Sequence, residues 1–368
     1  MMCPPQKTQV DASGEYYAQT MPGIEKIAWL EIRQRLPSTK FQQELFTKEK
    51  NGIILFEYAG SPEDLLTLRT VEDVFVVLLS AENLSRDWGD LRSVTRLLEG
   101  SDALDHAAQT ILRNRRGHRP ITFRVVSRKE GRHQYRRKDF EEAVFKGIER
   151  RYQGRWLPVE ENADLEIWAN VLGSRLLCGL RLSDRTMRHR GYQAASLPAS
   201  LRPSVAAAMV FLTQPNAEDV FMDPMCGTGT IVAERLLAGP CRLALGGDIS
   251  PQSILAAQQN LANLGKSYQL VRWDATRLPL PTQSIDKASV NLPFGKQIGS
   301  PTYVRELYPW FLAELERVLK PGGTATVLSS EYELVKDVLR EHRGLRLDRG
   351  YSVAVLGQWG RVYILQRL

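Results

Sequence analysis

The chain has 368 residues, 43% apolar and 25% charged, with a formal net charge of +7. That length suits two or three domains, and the apolar content is ample for buried cores. No run of about 18 apolar residues occurs, and the polar stretch Met1 to Gly14 has no signal-peptide apolar region. A spanning helix and a secretory route are therefore excluded as expectations. Four cysteines, Cys3, Cys178, Cys226 and Cys241, have neither metal nor disulfide spacing, as expected in a reducing cytoplasm.

The chain opens with a predicted strand over Tyr16 to Thr20, broken at Pro22-Gly23. A helix follows from Ile24 to Leu36, with Ile24, Ile27, Ala28 and Leu36 apolar and Pro37 as its stop. Lys40 to Phe46 and Ile53 to Tyr58 read as a hairpin about Asn51-Gly52. Ser61-Pro62-Glu63-Asp64 opens a short helix by capping chemistry. Thr70 to Leu79 is a strand, followed by helical patterns near Asp90 to Glu99 and Ser101 to Arg113. Ile121 to Val126 is a strand. Asp139 to Arg151 is a helix with Phe140, Val144 and Ile148 on one face. Leu165 to Leu172 and Arg175 to Leu182 pair about Gly173-Ser174. This order is mixed α+β and holds no catalytic acid, base or metal cluster; the five histidines, His106, His118, His133, His189 and His342, are scattered.

Charge is concentrated in this half. From Leu112 to Arg155 there are 15 Lys/Arg against 5 Asp/Glu, while the remainder holds 34 against 37. Clustered positive charge is the footprint of a polyanion binder. The candidate contacts are Arg113, Arg115, Arg116, Arg128, Lys129, Arg132, Arg136, Arg137 and Lys138. Tyr135, Phe140, Tyr152 and Trp156 are interleaved for stacking, Phe140 being equally a core residue, and His118 and His133 face phosphate or solvent. The plainer alternative is a solvated basic face. Asp184 to Gly191, with Arg185, Arg188 and Arg190, reads as a linker.

Leu197 to Ser204 leads into a helix from Val205 to Leu212. The next stretch, Phe221-Met222-Asp223-Pro224-Met225-Cys226-Gly227-Thr228-Gly229-Thr230-Ile231, reads as a buried strand end, a glycine turn and a helix start. Gly227 and Gly229 can take turn conformations closed to other residues and let backbone approach a ligand. The helix N-terminus offers unpaired N–H groups. Asp-x-x-x-Gly-x-Gly is the pattern with which S-adenosylmethionine (SAM) methyltransferases open their cofactor site. Alone it is also an ordinary tight turn of many Rossmann-like proteins. About twenty residues on, Ala244 to Ile249 is an apolar strand ending in Asp248, where doubly wound folds place a ribose carboxylate. The alternative for Asp248 is a helix N-cap before Ser250-Pro251. A helix near Gln252 to Leu264 ends at Gly265. Tyr268 to Ala275 is a strand ending in Asp274, placed for an adenine amino group, with Ala275-Thr276 or the flat Trp273 beside the ring. A surface acid is the alternative there. Cys226 reads as packing.

Ile285 to Val290 forms a fourth strand and ends in Asn291-Leu292-Pro293-Phe294-Gly295-Lys296. Methyltransferases acting on exocyclic amines carry Asn/Asp-Pro-Pro-Tyr/Phe at this strand end. Such an amine is a poor nucleophile because its lone pair is drawn into the ring. Two acceptors, the Asn291 side-chain oxygen and the Leu292 carbonyl, would hold its N–H bonds and stabilise the positive charge that develops. Pro293 stiffens the turn, and Phe294 can stack on an extruded base. By itself the tetrapeptide is also a polar turn with a packed Phe. A helix from Tyr308 to Leu319 is stopped by Lys320-Pro321-Gly322-Gly323. A fifth strand spans Thr324 to Leu328. Leu345 to Leu356 and Arg361 to Gln366 form a terminal hairpin about Gly357 to Gly360.

These stretches, with Arg69 to Val76 and Leu197 to Met209, resemble the THUMP-containing tRNA guanine-N2 methyltransferases. The implied fold class is α/β plus α+β. A polar tail (1–14) precedes a ferredoxin-like unit (15–68), a THUMP RNA-binding domain (69–184), a linker (185–196) and a Rossmann-like class I methyltransferase with a terminal antiparallel hairpin (197–368). The implied activity is SAM-dependent methylation of the guanine 2-amino group in the tRNA acceptor stem, typically at position 6, with the N-terminal part gripping the tRNA 3′ end. Carried over, Asn291, Leu292, Pro293 and Phe294 form the target-base motif. Asp223, Pro224, Gly227, Thr228, Gly229, Asp248, Ile249, Asp274, Ala275 and Asn291 bind SAM. Leu292 stands where many amino-methyltransferases have a first Pro. No metal is implied, nor a membrane; some relatives work with a small activator protein, and no oligomeric state is specified. The alternatives are rRNA guanine-N2 or DNA adenine-N6 methylation, and, in another class, a non-catalytic tRNA-binding scaffold.

Overall fold

The computed structural model describes residues 14–47, 51–113, 119–198, 200–265, 267–295, 299–355 and 357–368. The chain divides into two compact units. One comprises residues up to Gln19 with Ile32–Leu68 and Asp73–Arg185; the other comprises Thr20–Glu31, Arg69–Glu72 and Thr186–Leu368. No helix among the described residues is long and apolar enough to cross a membrane.

Up to residue 188 the elements are β1 (Glu15–Thr20), α1 (Glu25–Arg35), β2 (Lys40–Thr47), β3 (Asn51–Glu57), a 3₁₀ turn (Pro62–Thr67), β4 (Asp73–Ala81), α2 (Trp88–Glu99), α3 (Asp102–Leu112), β5 (Ile121–Glu130), α4 (Arg137–Tyr152), β6 (Trp156–Pro158), β7 (Leu165–Leu172), β8 (Arg175–Arg181) and α5 (Arg185–Arg188). The strands form one eight-stranded sheet in the order β2-β3-β1-β4-β8-β7-β5-β6. β5 runs parallel to β6 and β7, while β1–β4, β2–β3, β4–β8 and β7–β8 are antiparallel. Side-chain caps start two of the helices: Asp87 accepts from the Gly89 N–H and Ser101 from the Leu104 N–H. α2 and α4 pack so closely that a Cβ on Gly147 would stand 2.8 Å from the Thr95 carbonyl oxygen.

Three expectations for this unit are corrected. Asn51 and Gly52 pair with Thr47 and Phe46 inside the β2–β3 ladder, so they are strand rather than turn. Ser61 occupies an N-cap position but its side chain makes no cap bond, and the turn it opens is 3₁₀. Tyr135, Phe140, Tyr152 and Trp156 are all buried in the core, with Tyr152 and Trp156 stacked at 3.5 Å. They cannot stack on a nucleic acid, because their aromatic surface is already spent on folding.

The second unit contains α6 (Pro203–Leu212), β9 (Val220–Asp223), α7 (Thr230–Ala238), β10 (Leu243–Asp248), α8 (Pro251–Leu261), β11 (Tyr268–Arg272), β12 (Ile285–Asn291), α9 (Pro301–Val318), β13 (Leu319–Ser329), α10 (Tyr332–Glu341), β14 (Leu345–Val355) and β15 (Gln358–Arg367). Its sheet order is β11-β10-β9-β12-β13-β15-β14. The first five strands are parallel, and β15 runs antiparallel to both β13 and β14. The strand ends that carry Asp223, Asp248 and Asn291 therefore share one edge, where open α/β sheets bind ligands.

Helix α9 begins seven residues earlier than the periodicity predicts. Ser300 caps it by accepting from the Tyr303 N–H, and Pro301 sits in its first turn. Pro309 lies inside it, at a cost of about 3 kcal/mol. Val304, Leu307, Tyr308, Phe311, Leu312, Leu315 and Val318 are buried on one face, each worth about 1.5–3 kcal/mol, so packing outweighs the break. Helix α10 was not expected from sequence. The terminal hairpin is tighter than expected: Val355 pairs directly with Gln358, so Gln358 to Gly360 belong to β15.

The segment Arg69–Glu72 is tied into this unit by buried charge. The Arg69 Nε donates to Glu234 at 2.7 Å, Tyr192 donates to the same carboxylate at 2.8 Å, and Arg190 Nη2 donates to the Arg69 carbonyl at 2.7 Å. Glu72 accepts from the Ser204 hydroxyl. Glu234 lies on α7, the helix that follows the glycine turn.

Candidate active site

A cavity of about 310 Å³ opens at the carboxyl edge of the second sheet. Every cofactor candidate except Gly229 lines it, and so do Asn291, Leu292, Pro293 and Phe294. Gly229 has a different task. It is the N-cap of α7 with φ +77°, and a Cβ there would lie 3.1 Å from the Ala257 Cβ. It brings the turn against α8. Gly227, at φ +51°, has nothing within 4 Å of an added Cβ. That open space lies on the cavity wall and is a cradle that a side chain would fill.

Of the two acids, Asp248 is wired to the glycine turn and Asp274 to its own loop. Asp248 Oδ2 accepts from the Gly227 N–H and Oδ1 from the Ser250 N–H, both at 2.9 Å. The N-cap of α8 is Ser250, not Asp248. The Asp248 carboxylate is half-buried, and lone pairs remain on its oxygens for ligand hydroxyls. Asp274 is exposed; its Oδ1 accepts from the Thr276 N–H and hydroxyl. Ala275 lies on the cavity wall, but Trp273 does not. The indole is buried, donates to the Pro224 carbonyl at 3.0 Å, and fills the space where a Gly247 side chain would stand. Trp273 is thus a prop under the turn rather than a surface for a ligand ring.

Asp223 is buried beside Asp248. Burial raises its pKa well above the usual carboxylate value; the bond from the Met225 N–H opposes this, and the Asp248 charge adds a smaller push upward. The same burial raises the Cys226 thiol, with Asp223 and Asp248 adding to it, so this cysteine is an inert packing group. The folded chain keeps a proton on Asp223 that the unfolded chain releases above about pH 4. Stability therefore falls as pH rises through the interval between those two values. Asp223→Asn keeps an acceptor for the Met225 N–H and cannot ionise. Thermal unfolding of the ligand-free protein is expected to show no gain for this variant near pH 4 and a growing gain toward pH 8; a pH-independent difference would contradict the assignment.

The stretch Asn291-Leu292-Pro293-Phe294, expected to be the target-base motif, sits at the end of β12. The Asn291 backbone pairs with Leu328 on β13, and the Leu292 N–H donates to the Leu328 carbonyl at 3.0 Å. A Pro in place of Leu292 could not make that bond. The Leu292 side chain is buried in the core cluster, which leaves the backbone to form the cavity wall. The Asn291 Oδ1 is buried and has no hydrogen-bond partner among the described residues. An orphaned buried acceptor costs about 1–3 kcal/mol. On a cavity wall it marks a place where a ligand donor completes the structure.

The sequence reading overlooked Tyr303, Leu307, Val355 and Gln358, which also line the cavity. Tyr303 and Leu307 occupy the first turns of α9, which was expected to be loop. The Tyr303 pKa is raised by partial burial and then by the charges of Asp274 and Asp248. The Asp248 and Asp274 carboxylates and the protonated Asp223 carboxyl line the cavity and, among the described residues, no Lys or Arg does. Such a lining suits a cationic ligand carrying hydroxyl and amine donors, as SAM does, and opposes a pyrophosphate.

In the first unit, Arg115, Arg116 and His118 lie outside the described residues. Arg113, Arg132, Arg136, Arg137 and Lys138 are exposed. Arg136 pairs with Asp139 and Arg137 with Glu141, which lowers the charge they offer a polyanion. Arg128 stacks its guanidinium 4.8 Å over Trp168 and donates to Asn51, and Lys129 donates to the Gly131 carbonyl. His133 hydrogen-bonds the Gly173 carbonyl at 2.7 Å.

Residues 190–355 match the family model described as UPF0020: RMKL-like, methyltransferase domain. Among solved structures the chain resembles TrmN from Thermus thermophilus, with a TM-score of 0.79 and 25% identity over 96% of this chain and 99% of that one. The second unit has the fold of a class I SAM-dependent methyltransferase. Among curated proteins the chain is 28% identical over 250 residues to the tRNA (guanine(6)-N2)-methyltransferase of Thermus thermophilus, covering 67% of this chain and 73% of that protein. It is 31% identical over 229 residues to the human tRNA (guanine(6)-N(2))-methyltransferase THUMP3, covering 58% of this chain and 45% of that protein. The chain thus spans less than half the length of the mammalian relatives it matches.

Proposed function

We propose that the chain methylates the 2-amino group of a guanine in the tRNA acceptor stem, at position 6, using SAM. The observation that carries this reading is the buried, unpartnered Asn291 oxygen on the wall of a carboxylate-lined cavity. SAM, when bound, supplies an electrophilic methyl group on a sulfonium. Gly227 would let its backbone approach, with the Asp223 carboxyl carbonyl oxygen accepting from the ammonium, Asp248 toward the ribose and Asp274 toward the adenine. Asn291 Oδ1 and the Leu292 carbonyl would accept the two N–H bonds of the guanine amine. Held so, the nitrogen becomes pyramidal and presents its lone pair, and the two acceptors stabilise the charge it gains. Pro293 holds the turn and Phe294 stacks on the extruded base. No strong base is needed, since the amine proton turns acidic once the methyl has moved.

Residues 15–184 are the proposed RNA grip, with 15–68 as the ferredoxin-like part and 69–184 as the THUMP domain. The 3′ end of the tRNA is its ligand, residues 185–196 are the linker, residues 197–368 are the catalytic domain, and the cytoplasm is its compartment. Neutralising Arg136, Arg137 and Lys138 together is expected to weaken tRNA binding and flatten its salt dependence. Because two of them are ion-paired, the loss of slope should be smaller than three phosphate contacts imply. Unchanged affinity across several salt concentrations would discard this patch. The catalytic reading is tested with transcripts carrying inosine, which lacks the 2-amino group, at position 6: methyl transfer should vanish from that transcript and persist when inosine replaces another acceptor-stem guanosine.

A further inference from the structure

The Pro293 carbonyl is engaged by the fold itself. The Tyr308 hydroxyl donates to it at 2.9 Å. The same phenol oxygen stands 2.9 Å from the Ser329 hydroxyl, which in turn accepts from the Glu331 N–H at 2.9 Å. Tyr308 and Ser329 are both buried. Proton counting gives the bonds one direction. A phenol has a single proton, and the Pro293 carbonyl can only accept, so the phenol proton lies there. The Ser329 proton must then point to the Tyr308 oxygen. The relay runs from the Glu331 N–H through Ser329 and Tyr308 to Pro293, and each hydroxyl both donates and accepts. Burial raises the Tyr308 pKa, which keeps the phenol a donor.

Its ends have different anchorage. Ser329 is the last residue of β13, held in the ladder opposite Arg361. Tyr308 sits in the buried face of α9. Pro293 lies in the target-base turn beyond the end of β12, where its ring nitrogen has no proton to contribute. Besides the Leu292 N–H bond to Leu328 and the buried Leu292 side chain, this relay is what ties the turn to the core among the described residues.

We propose that Tyr308, backed by Ser329, is a positioning residue for the transfer: by engaging the Pro293 carbonyl it fixes the turn so that the Leu292 carbonyl and Asn291 Oδ1 converge on one amine. The inference rests on the reading of Asn291-Leu292-Pro293-Phe294 as the target-base motif. Tyr308 touches no substrate; it acts through Pro293.

The test uses the full chain and Tyr308→Phe, which keeps the ring that packs in the core, with Ser329→Ala as a second variant. In the ligand-free proteins, hydrogen exchange is read by mass spectrometry on peptides across Val290–Gly295 and across Phe221–Ile231. Tyr308→Phe should speed exchange in the first and leave the second unchanged. With labelled SAM and an unmodified tRNA transcript, kcat should fall by about 10–100-fold, the scale of a small misplacement. The KM for tRNA and the Kd for SAM should stay within about twofold of wild type, because neither Tyr308 nor Ser329 lines the cavity. Ser329→Ala should act in the same direction but less, since Tyr308 can still donate. Unchanged exchange at Val290–Gly295 overturns the proposal whatever the activity. So does wild-type kcat, or an equal loss of kcat and both affinities, which is the mark of a purely structural role. If the wild-type protein methylates a different nucleoside, the guanine reading fails while exchange and the kcat-against-KM split still judge the relay.

Discussion

Asn291→Ala is expected to reduce turnover by a factor on the order of 10²–10³, the range seen when one preorganised polar contact to a developing charge is removed. Affinity for SAM should change little. The reason lies in the wild-type geometry. Asn291 Oδ1 has no partner among the described residues, so its removal breaks no bond that holds the fold. Alanine also relieves a buried acceptor of its desolvation cost, so thermal stability should be equal or higher. Lower activity with equal or higher stability is the signature of a group kept for transition-state binding rather than for folding. Single-turnover transfer, isothermal titration with SAM and thermal unfolding check the three parts together. A variant that transfers at the wild-type rate would remove Asn291 from the reaction.

Gly227→Val should act on the opposite term. An added side chain meets no protein atom within 4 Å, yet it projects into the space of the cavity wall at φ +51°. Backbone strain in that region costs about 1–2 kcal/mol for a residue with a Cβ. The loss of cofactor affinity should be about 100-fold or more, which is about 2.8 kcal/mol at about 1.4 kcal/mol per tenfold, because ligand and side chain compete for one volume. Equilibrium dialysis with labelled SAM measures it, and circular dichroism checks that the fold persists. The same measurement separates an enzyme from a tRNA-binding scaffold, for which wild type and variant would both fail to bind SAM. An unchanged Kd in Gly227→Val would mean that the cofactor does not lie against the turn.

Much of the site was readable in the sequence because its chemistry is local. The glycine turn, Asp248, Asp274 and Asn291-Leu292-Pro293-Phe294 each stand at a strand end, and a parallel sheet brings such ends to one edge. The misses depend on tertiary packing. Trp273 looks like a flat ring beside an adenine site until Gly247 is seen to leave room for it. Tyr303 and Leu307 were hidden because Pro309 breaks the helical pattern, while Ser300-Pro301, a good N-terminal signal, stands well upstream. Gln358 was assigned to a turn because Gly357 and Gly360 frame it, whereas pairing with Val355 makes it strand. In the first unit, aromatic residues among arginines resemble a stacking surface in one dimension. Phe140 already reads as core on the face it shares with Val144 and Ile148, whereas the burial of Tyr135, Tyr152 and Trp156 appears only when the sheet beneath them is known.

The most direct measurement is nucleoside analysis of an unmodified tRNA transcript after incubation with the protein and labelled SAM. Label is expected in N2-methylguanosine, at an acceptor-stem position, and at a rate lower by a factor on the order of 10²–10³ with Asn291→Ala. Label in another nucleoside, or no transfer by a protein that binds both SAM and tRNA, would contradict that expectation.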